Sequence, residues 1–138
     1  MIRLATPSDT PRILEIRDSV SDTRLSDPNA VSAAGAAWFI DNRALWVWQE
    51  ADRLVTGFSA GDARDGSIWA LLVAPGHEGK GIGRALLKAA CDALREAGHR
   101  AATLTIEPGT PAERHYRAAG WTVTGTNPKG GLIFQKPL

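Results

Sequence analysis

Residues 73–90 read VAPGHEGKGIGRALLKAA, and this stretch decides the fold of the chain. Four glycines fall within eight residues, and a helical stripe that includes Ile82, Leu86 and Leu87 begins among them. Because glycine is costly to order, such a cluster requires either a turn or a ligand that approaches the backbone closely. The unsatisfied N–H groups and the dipole of a helix N-terminus favour an anion there. The stretch therefore predicts a phosphate-binding loop ahead of a central helix.

The spacing of the glycines excludes the two commonest phosphate-binding loops. A P-loop needs a lysine directly after its second glycine, but Ile82 follows Gly81. A dinucleotide-binding fingerprint needs a third glycine at a position that holds Arg84 or Leu86 here, depending on where the count starts. The remaining interpretation of the glycine cluster is a phosphate-binding loop of a third kind.

Composition and charge restrict the class of protein. With 138 residues, of which 43% are hydrophobic, the chain is expected to form one domain over residues 1–138. A formal net charge of +1 argues against nucleic acid or an anionic membrane as a partner. Cys91 is the only cysteine, which excludes an intramolecular disulfide and a cysteine zinc site, so we expect no metal. Since the N-terminus has no apolar signal core, we expect a cytoplasmic protein.

Apolar periodicity and turn residues predict a mixed α/β arrangement around one sheet, in the order β-α-α-β-β-β-α-β-α-β-β. The first helix follows a strand at residues 2–5 and is expected to be capped by Ser8 or Asp9. The second helix is predicted over residues 27–42. Ala51 and Asp52 are expected to form a tight hairpin connection between the second and third strands, although they are not a preferred turn pair.

The sequence EGKGIGRALL, residues 78–87, resembles the [QR]-x-x-G-x-[GA] signature of the GCN5-related N-acetyltransferase (GNAT) superfamily. In that family the loop joins the fourth strand to a central helix and holds the pyrophosphate of acetyl-CoA. Glu78 stands where the family usually has glutamine or arginine, and we expect its carboxylate to face solvent while its N–H contributes to binding. The resemblance implies cofactor contacts from Glu78, Gly79, Lys80, Gly81, Ile82, Gly83 and Arg84.

Further along, LTIEPGTPAERHYRAAGW at residues 104–121 resembles the second signature of the same family, L-x-V-x-x-x-N-x-x-A-x-x-[FL]-Y-x-x-x-G-[FW]. Tyr116, Gly120 and Trp121 fall in register, whereas Thr110 stands where asparagine is common. Thr110 is counted among the cofactor-binding residues that the resemblance implies. The two signatures occur in the order and spacing of the family.

The resemblance implies the acyl-CoA N-acyltransferase fold, a single domain whose central sheet splays between the fourth and fifth strands. The pantetheine would insert there and pair with the backbone of Leu72 and Val73. The implied function is acetyl-CoA-dependent transfer of an acetyl group to a primary amine of a small molecule or peptide, by direct attack in a ternary complex. A catalytically degenerate acetyl-CoA sensor on the same fold is the alternative. A homodimer is compatible with the sequence.

Acetyl transfer needs a neutral amine, stabilisation of the tetrahedral oxygen and a proton for the departing thiolate. A tyrosine keeps its proton to about pH 10, so Tyr116 is able to donate to the sulfur, and the resemblance implies this role as general acid. Glu107, just past the fifth strand, is the first candidate for the general base, and Glu50 is the second. Both also fit solvated strand ends, and His77 and His115 are weaker alternatives.

Tryptophans are frequent for a chain of this length. They fit an aromatic acceptor pocket that makes cation–π contacts with an amine, but packing in the core and on the sheet explains them more simply. The tryptophans concerned are Trp38, Trp46, Trp48 and Trp69. By resemblance, the acceptor site lies around residues 23–37, Trp69 and residues 126–131. Cys91 within the central helix indicates a packing thiol.

Overall fold

A computed structural model describes residues 1–20 and 31–138 of the chain. The predicted order of helices and strands is confirmed, with a short 3-10 turn added before the first helix. In chain order the elements are β1 (Ile2–Leu4), the 3-10 turn (Pro7–Asp9), α1 (Thr10–Ser19), α2 (Ala33–Asp41), β2 (Leu45–Gln49), β3 (Val55–Asp62), β4 (Ser67–Val73), α3 (Ile82–Glu96), β5 (Ala101–Ile106), α4 (Pro111–Ala118), β6 (Thr122–Thr126) and β7 (Leu132–Pro137).

The seven strands form one mixed sheet in the order β1-β2-β3-β4-β5-β7-β6. Helices α1 and α2 cover one face, where Ile16 and Phe39 pack with Leu72. Helices α3 and α4 cover the other face, where Leu86 and Tyr116 belong to a second core. The sheet is thus buried on both sides, as expected of a layered α/β fold.

The sheet opens between its two parallel strands. Among the described residues, β4 and β5 pair at one register position, Ser67 with Thr103, near the beginning of each strand. Beyond that point β4 continues to Val73 and β5 to Ile106, but the described residues show no further pairing of these two strands with each other. The strands therefore separate towards their C-terminal ends, which is the splayed sheet predicted from the sequence.

Helix α3 lies close to β3 because the strand presents small side chains to it. The Cβ that an alanine would add at Gly57 would lie 2.9 Å from Leu86 Cδ1, and at Gly61 it would lie 3.0 Å from Leu94 Cγ. Between these glycines, the buried Ser59 hydroxyl donates to the Leu86 carbonyl at 2.9 Å. The Gly-x-Ser-x-Gly face of β3 thus fixes the height of α3 above the sheet.

Asp9, one of the two predicted caps, is the N-cap residue of α1, but its side chain bonds elsewhere. The chain first makes the 3-10 turn, and Asp9 Oδ2 accepts a hydrogen bond from the N–H of Thr6 at 2.8 Å. Arg3 donates to both carboxylate oxygens of Asp9 and holds the pKa of this carboxyl below its usual range. The Asp9 carboxylate thus bonds to residues that precede it in the chain, and it makes no side-chain hydrogen bond to the N-terminus of α1.

Two other predictions change in detail. Ala51 and Asp52 are the central residues of a turn between β2 and β3, which the Arg53 N–H closes by bonding to the Glu50 carbonyl at 2.9 Å. The loop is nevertheless one residue longer than predicted, because Arg53 adopts a left-handed conformation and the Glu50 N–H bonds to the Leu54 carbonyl at 2.8 Å. Helix α2 spans Ala33–Asp41 with Ser32 as its cap, so it is shorter than the predicted range 27–42. The predicted start at residue 27 itself lies outside the described residues. Within residues 1–20 and 31–138, no helix combines the length and apolar character needed to cross a membrane.

We expect Gly57→Ala to destabilise the fold by about 1–3 kcal/mol, because its methyl group would overlap Leu86 and press on the Leu72 carbonyl. Gly125→Ala in the edge strand β6 is the matched control, since its methyl group would meet no described heavy atom within 4 Å. Urea unfolding of both variants measures the difference. Equal stabilities of the two variants would contradict the close packing of α3 on β3.

Candidate active site

A cleft of about 1130 Å³ lies where β4 and β5 separate. Strand β4, the loop that follows it, the first turns of α3, helix α4 and the end of α1 all contribute to its walls. The lining residues that the sequence also predicted are Leu72, Val73, Glu78, Gly79, Gly81, Gly83, Arg84, Thr110 and Tyr116.

The N-terminus of α3 opens into this cleft. Gly81 is its N-cap residue and has a left-handed backbone, as does Gly79, which explains why glycines stand there. The described hydrogen bonds leave the backbone N–H groups of Ile82, Gly83 and Arg84 without an acceptor. Together with the helix dipole, these donors suit an anion that carries several oxygens.

Glu78 is exposed, and its carboxylate is bound to the loop itself. Its Oε2 accepts a hydrogen bond from the N–H of Gly76 at 2.9 Å. This contact stabilises the turn after β4 and leaves the N–H groups of α3 available. A carboxylate in this position therefore does not occupy the N-terminus of the helix.

Two predicted loop residues do not line the cleft among the described residues. Ile82 is buried in the core beneath α3, so it offers its backbone N–H but not its side chain. Lys80 is exposed, with its Nζ 3.5 Å from Nδ1 of His77.

His77 itself lines the cleft, and its Nδ1 lies 3.4 Å from a carboxylate oxygen of Glu50. Glu50, the second candidate for the base, does not line the cleft among the described residues and reaches it only through His77.

Tyr116 lies in the wall of the cleft and is only 2% exposed. Its ring packs edge-on against Trp121, with the centroids 5.7 Å apart, and it also contacts Phe134. An aromatic ring held on several sides has little rotational freedom. The phenol therefore has a fixed place between α4 and the sheet.

Local hydrogen bonds place α4 and, with it, Tyr116. Gly109 N–H donates to Glu113 at 2.9 Å, and this bond, aided by Arg117, lowers the pKa of the Glu113 carboxyl. The Thr110 hydroxyl donates to the Glu107 carbonyl at 2.8 Å. The Glu107 side chain does not line the cleft in the described part of the chain.

Sequence reasoning missed several residues of the cleft. On α3, Leu87 and Lys88 follow Arg84 at helical spacing, so the period of the helix could have found them. Ser19 at the end of α1 and Lys136 of β7 come from distant parts of the chain, and no local signal marks them.

The tryptophans considered for an acceptor pocket do not line this cleft among the described residues. Trp69 packs on Phe39 with centroids 4.5 Å apart, and Trp46 and Trp48 lie against the second core. Trp38 is partly exposed and carries the Arg64 guanidinium over its ring at 3.9 Å.

The described residues contain no group of three or more His, Cys, Asp or Glu side chains that could hold a metal. Cys91 is half-buried on α3, and burial raises the pKa of its thiol. A protonated thiol is a poor nucleophile. The features that the cleft does bring together are the N-terminus of α3, the edge of β4 and Tyr116.

Comparison with known proteins agrees with this geometry. The sequence model of the acetyltransferase (GNAT) family matches residues 12–121. The L-methionine sulfoximine/L-methionine sulfone acetyltransferase of Salmonella typhimurium is 31% identical over 161 aligned residues, which cover 99% of this chain and 88% of that protein. An L-amino acid N-acyltransferase of Escherichia coli is 30% identical with the same coverage.

Solved structures extend the likeness to three dimensions. A Salmonella typhimurium protein solved with its cofactor acetyl-CoA is 25% identical, with a TM-score of 0.76 over 100% of this chain and 93% of that one. The phosphinothricin acetyltransferase of Sinorhizobium meliloti, in complex with acetyl-CoA, shares the fold with a TM-score of 0.80 at 23% identity, over 100% and 88% of the two chains. The chain therefore belongs to the GNAT family and is an acetyl-CoA-dependent N-acetyltransferase.

Proposed function

We propose that the cleft holds acetyl-CoA with its pyrophosphate at the N-terminus of α3. The N–H groups of Ile82, Gly83 and Arg84 are available as donors, and the two left-handed glycines before them keep Cβ atoms away from the ligand. The Arg84 side chain lines the cleft and adds a charge-assisted hydrogen bond. Lys80 supplies further positive charge from the exposed side of the loop.

The thioester would lie beside the open edge of β4. Pantetheine is an extended chain with two amide groups, so it can pair with the backbone of Leu72 and Val73 where β5 has moved away. A backbone N–H of β4 would then point at the thioester oxygen and stabilise the negative charge that develops on it. Both residues line the cleft, which supports this placement.

In the reaction, the nitrogen of a neutral amine attacks the thioester carbon and the carbon–sulfur bond breaks. The thiolate that leaves needs a proton, and the Tyr116 hydroxyl supplies it. The fixed ring of Tyr116 in the cleft wall supports this role. The amine loses a proton to water or to a base, and the tyrosinate left at Tyr116 regains a proton from solvent, which restores the enzyme.

The acceptor is proposed to be the primary amine of a small molecule of the amino-acid type. This proposal is supported by the names of the two relatives, which act on L-methionine sulfoximine or sulfone and on L-amino acids. Ser19 and Val20, at the end of α1, line the cleft on the side from which an amine could approach. The predicted acceptor region at residues 23–37 lies partly outside the described residues.

A single observation carries the proposal: one cleft joins free helix N–H groups, the unpaired edge of β4 and a buried tyrosine. Its test is a thiol-release assay with acetyl-CoA and a panel of L-amino acids, their sulfoximine and sulfone analogues, diamines and short peptides. We expect turnover with at least one amino acid and intersecting initial-rate lines, as direct attack requires. Parallel lines would indicate a covalent acetyl-enzyme and would exclude the ternary complex.

Tyr116→Phe should lower kcat by about 100-fold, because a general acid typically contributes a factor of this size. The affinity for acetyl-CoA should stay within about two-fold, since the ring packing is kept. Steady-state kinetics and calorimetric binding measure the two effects separately. Arg114→Ala, on an exposed part of α4 outside the cleft lining, is the control. Unchanged turnover of Tyr116→Phe would remove the acid role.

Glu107→Gln tests the predicted general base. The Glu107 side chain does not line the cleft, so we expect kcat to fall by less than about three-fold, far below the effect of a direct base. We propose that the amine proton leaves through water. Glu50→Gln is the companion variant, and it should alter the KM for acetyl-CoA rather than kcat, because Glu50 lies beside His77. A hundred-fold loss of kcat in Glu107→Gln would make Glu107 the base.

A further inference from the structure

The cleft carries basic side chains beyond the phosphate loop. Arg84 and Lys88 are four residues apart on α3 and line the same wall, and His115 of α4 and Lys136 of β7 also contribute. Glu78 is the one carboxylate among the described lining residues, and its oxygen accepts from a backbone N–H. The groove between α3 and α4 therefore carries more basic side chains than a pyrophosphate at the N-terminus of α3 would contact.

Coenzyme A contains a second phosphate group. Its pyrophosphate leads to a ribose whose 3′-oxygen carries a phosphate monoester, with about −1.5 to −2 charges at neutral pH. Along α3, Lys88 lies one turn, or about 6 Å, beyond Arg84 and farther than Arg84 from the N-terminus of the helix. This offset is of the order of the separation between the 5′- and 3′-phosphates of one ribose.

We propose that Lys88 binds the 3′-phosphate of coenzyme A, so that the enzyme selects coenzyme A over its 3′-dephospho form. This inference rests on the proposed pyrophosphate seat at α3. Lys88 Nζ lies 2.6 Å from Asp92, and its side chain is 76% exposed. An exposed pair of this kind stabilises little, so the ammonium group can leave Asp92 for a dianion.

The other basic residues of the groove are less suited to this role. Lys136 donates to the Ala119 carbonyl at 3.1 Å and is thereby held at the C-terminal end of α4. His115 packs edge-on against Tyr116, with centroids 5.2 Å apart. Lys88 alone combines a place in the cleft wall one turn from Arg84 with a long, exposed side chain.

Calorimetric titration with coenzyme A and with 3′-dephospho-coenzyme A tests the inference without relying on turnover. The wild-type protein should bind coenzyme A about ten-fold more tightly. Lys88→Ala should bind coenzyme A about five-fold more weakly and leave the affinity for the dephospho form unchanged. Lys88→Arg keeps the charge and should keep most of the preference.

Arg95→Ala is the matched control, because Arg95 lies on the same helix beside the same Asp92 but does not line the cleft. It should bind both ligands as the wild-type protein does. Equal affinities of the wild-type protein for the two ligands, or an equal loss of both in Lys88→Ala, would overturn the role of Lys88.

Arg84→Ala separates this inference from the seat on which it rests. It should weaken the binding of both ligands by the same factor, because both carry the pyrophosphate. Unchanged binding of both ligands to Arg84→Ala would overturn the contribution of Arg84 to the pyrophosphate seat, whereas an undiminished preference of about ten-fold for coenzyme A in Lys88→Ala would overturn the role of Lys88.

Discussion

The parting of β4 from β5 is the constraint around which the rest of the molecule is arranged. Along one edge, β4 pairs with β3 from Ser67 to Val73. Along the other, it pairs with β5 at Ser67 alone among the described residues. Buried backbone groups need hydrogen-bond partners, so an open edge inside a covered sheet calls for a guest with amides of its own. The extended, amide-bearing arm of coenzyme A has this character, and in the proposed function it fills the gap and pairs with the open edge of β4.

The gap would not serve catalysis if α3 were free to move away from it. The small side chains of β3 and the bond from Ser59 to the Leu86 carbonyl hold the helix on the sheet. A short loop then joins the end of β4 to Gly81, with glycines supplying the left-handed turns. One strand, one loop and one helix thus place the open backbone edge and the helix N–H groups side by side. In the proposed function, a single continuous segment would thus position both the reactive end and the charged end of acetyl-CoA.

The sequence predicted this segment well because each of its signals is local. The stripe of Ile82, Leu86, Ala90 and Leu94 is buried as its spacing indicates, and the glycine spacing selects one kind of loop. The left-handed Arg53 makes the loop between β2 and β3 longer than predicted, because no preferred turn pair marks the length of this loop in the sequence. Glu107 became a candidate base because strand ends can be read from sequence, whereas the direction of a side chain past the strand cannot. Ser19 and Lys136 reach the cleft through tertiary packing, which leaves no trace in neighbouring residues.

The two ends of the cleft differ in polarity, and this difference matters for the chemistry. Near the parted strands the lining includes the buried Leu71, Leu72, Tyr116 and Trp121, so hydrogen bonds to a developing oxyanion act in a medium of low dielectric and are strong. At the mouth, Arg84 and Lys88 are exposed, so the phosphates of the proposed ligand would stay in contact with water. Binding energy would be gained there, away from the reacting carbon, and would hold the thioester in place. In the proposed function, affinity and rate are therefore separable: charged side chains at the mouth would set the affinity, and a buried tyrosine with the edge of β4 would set the rate.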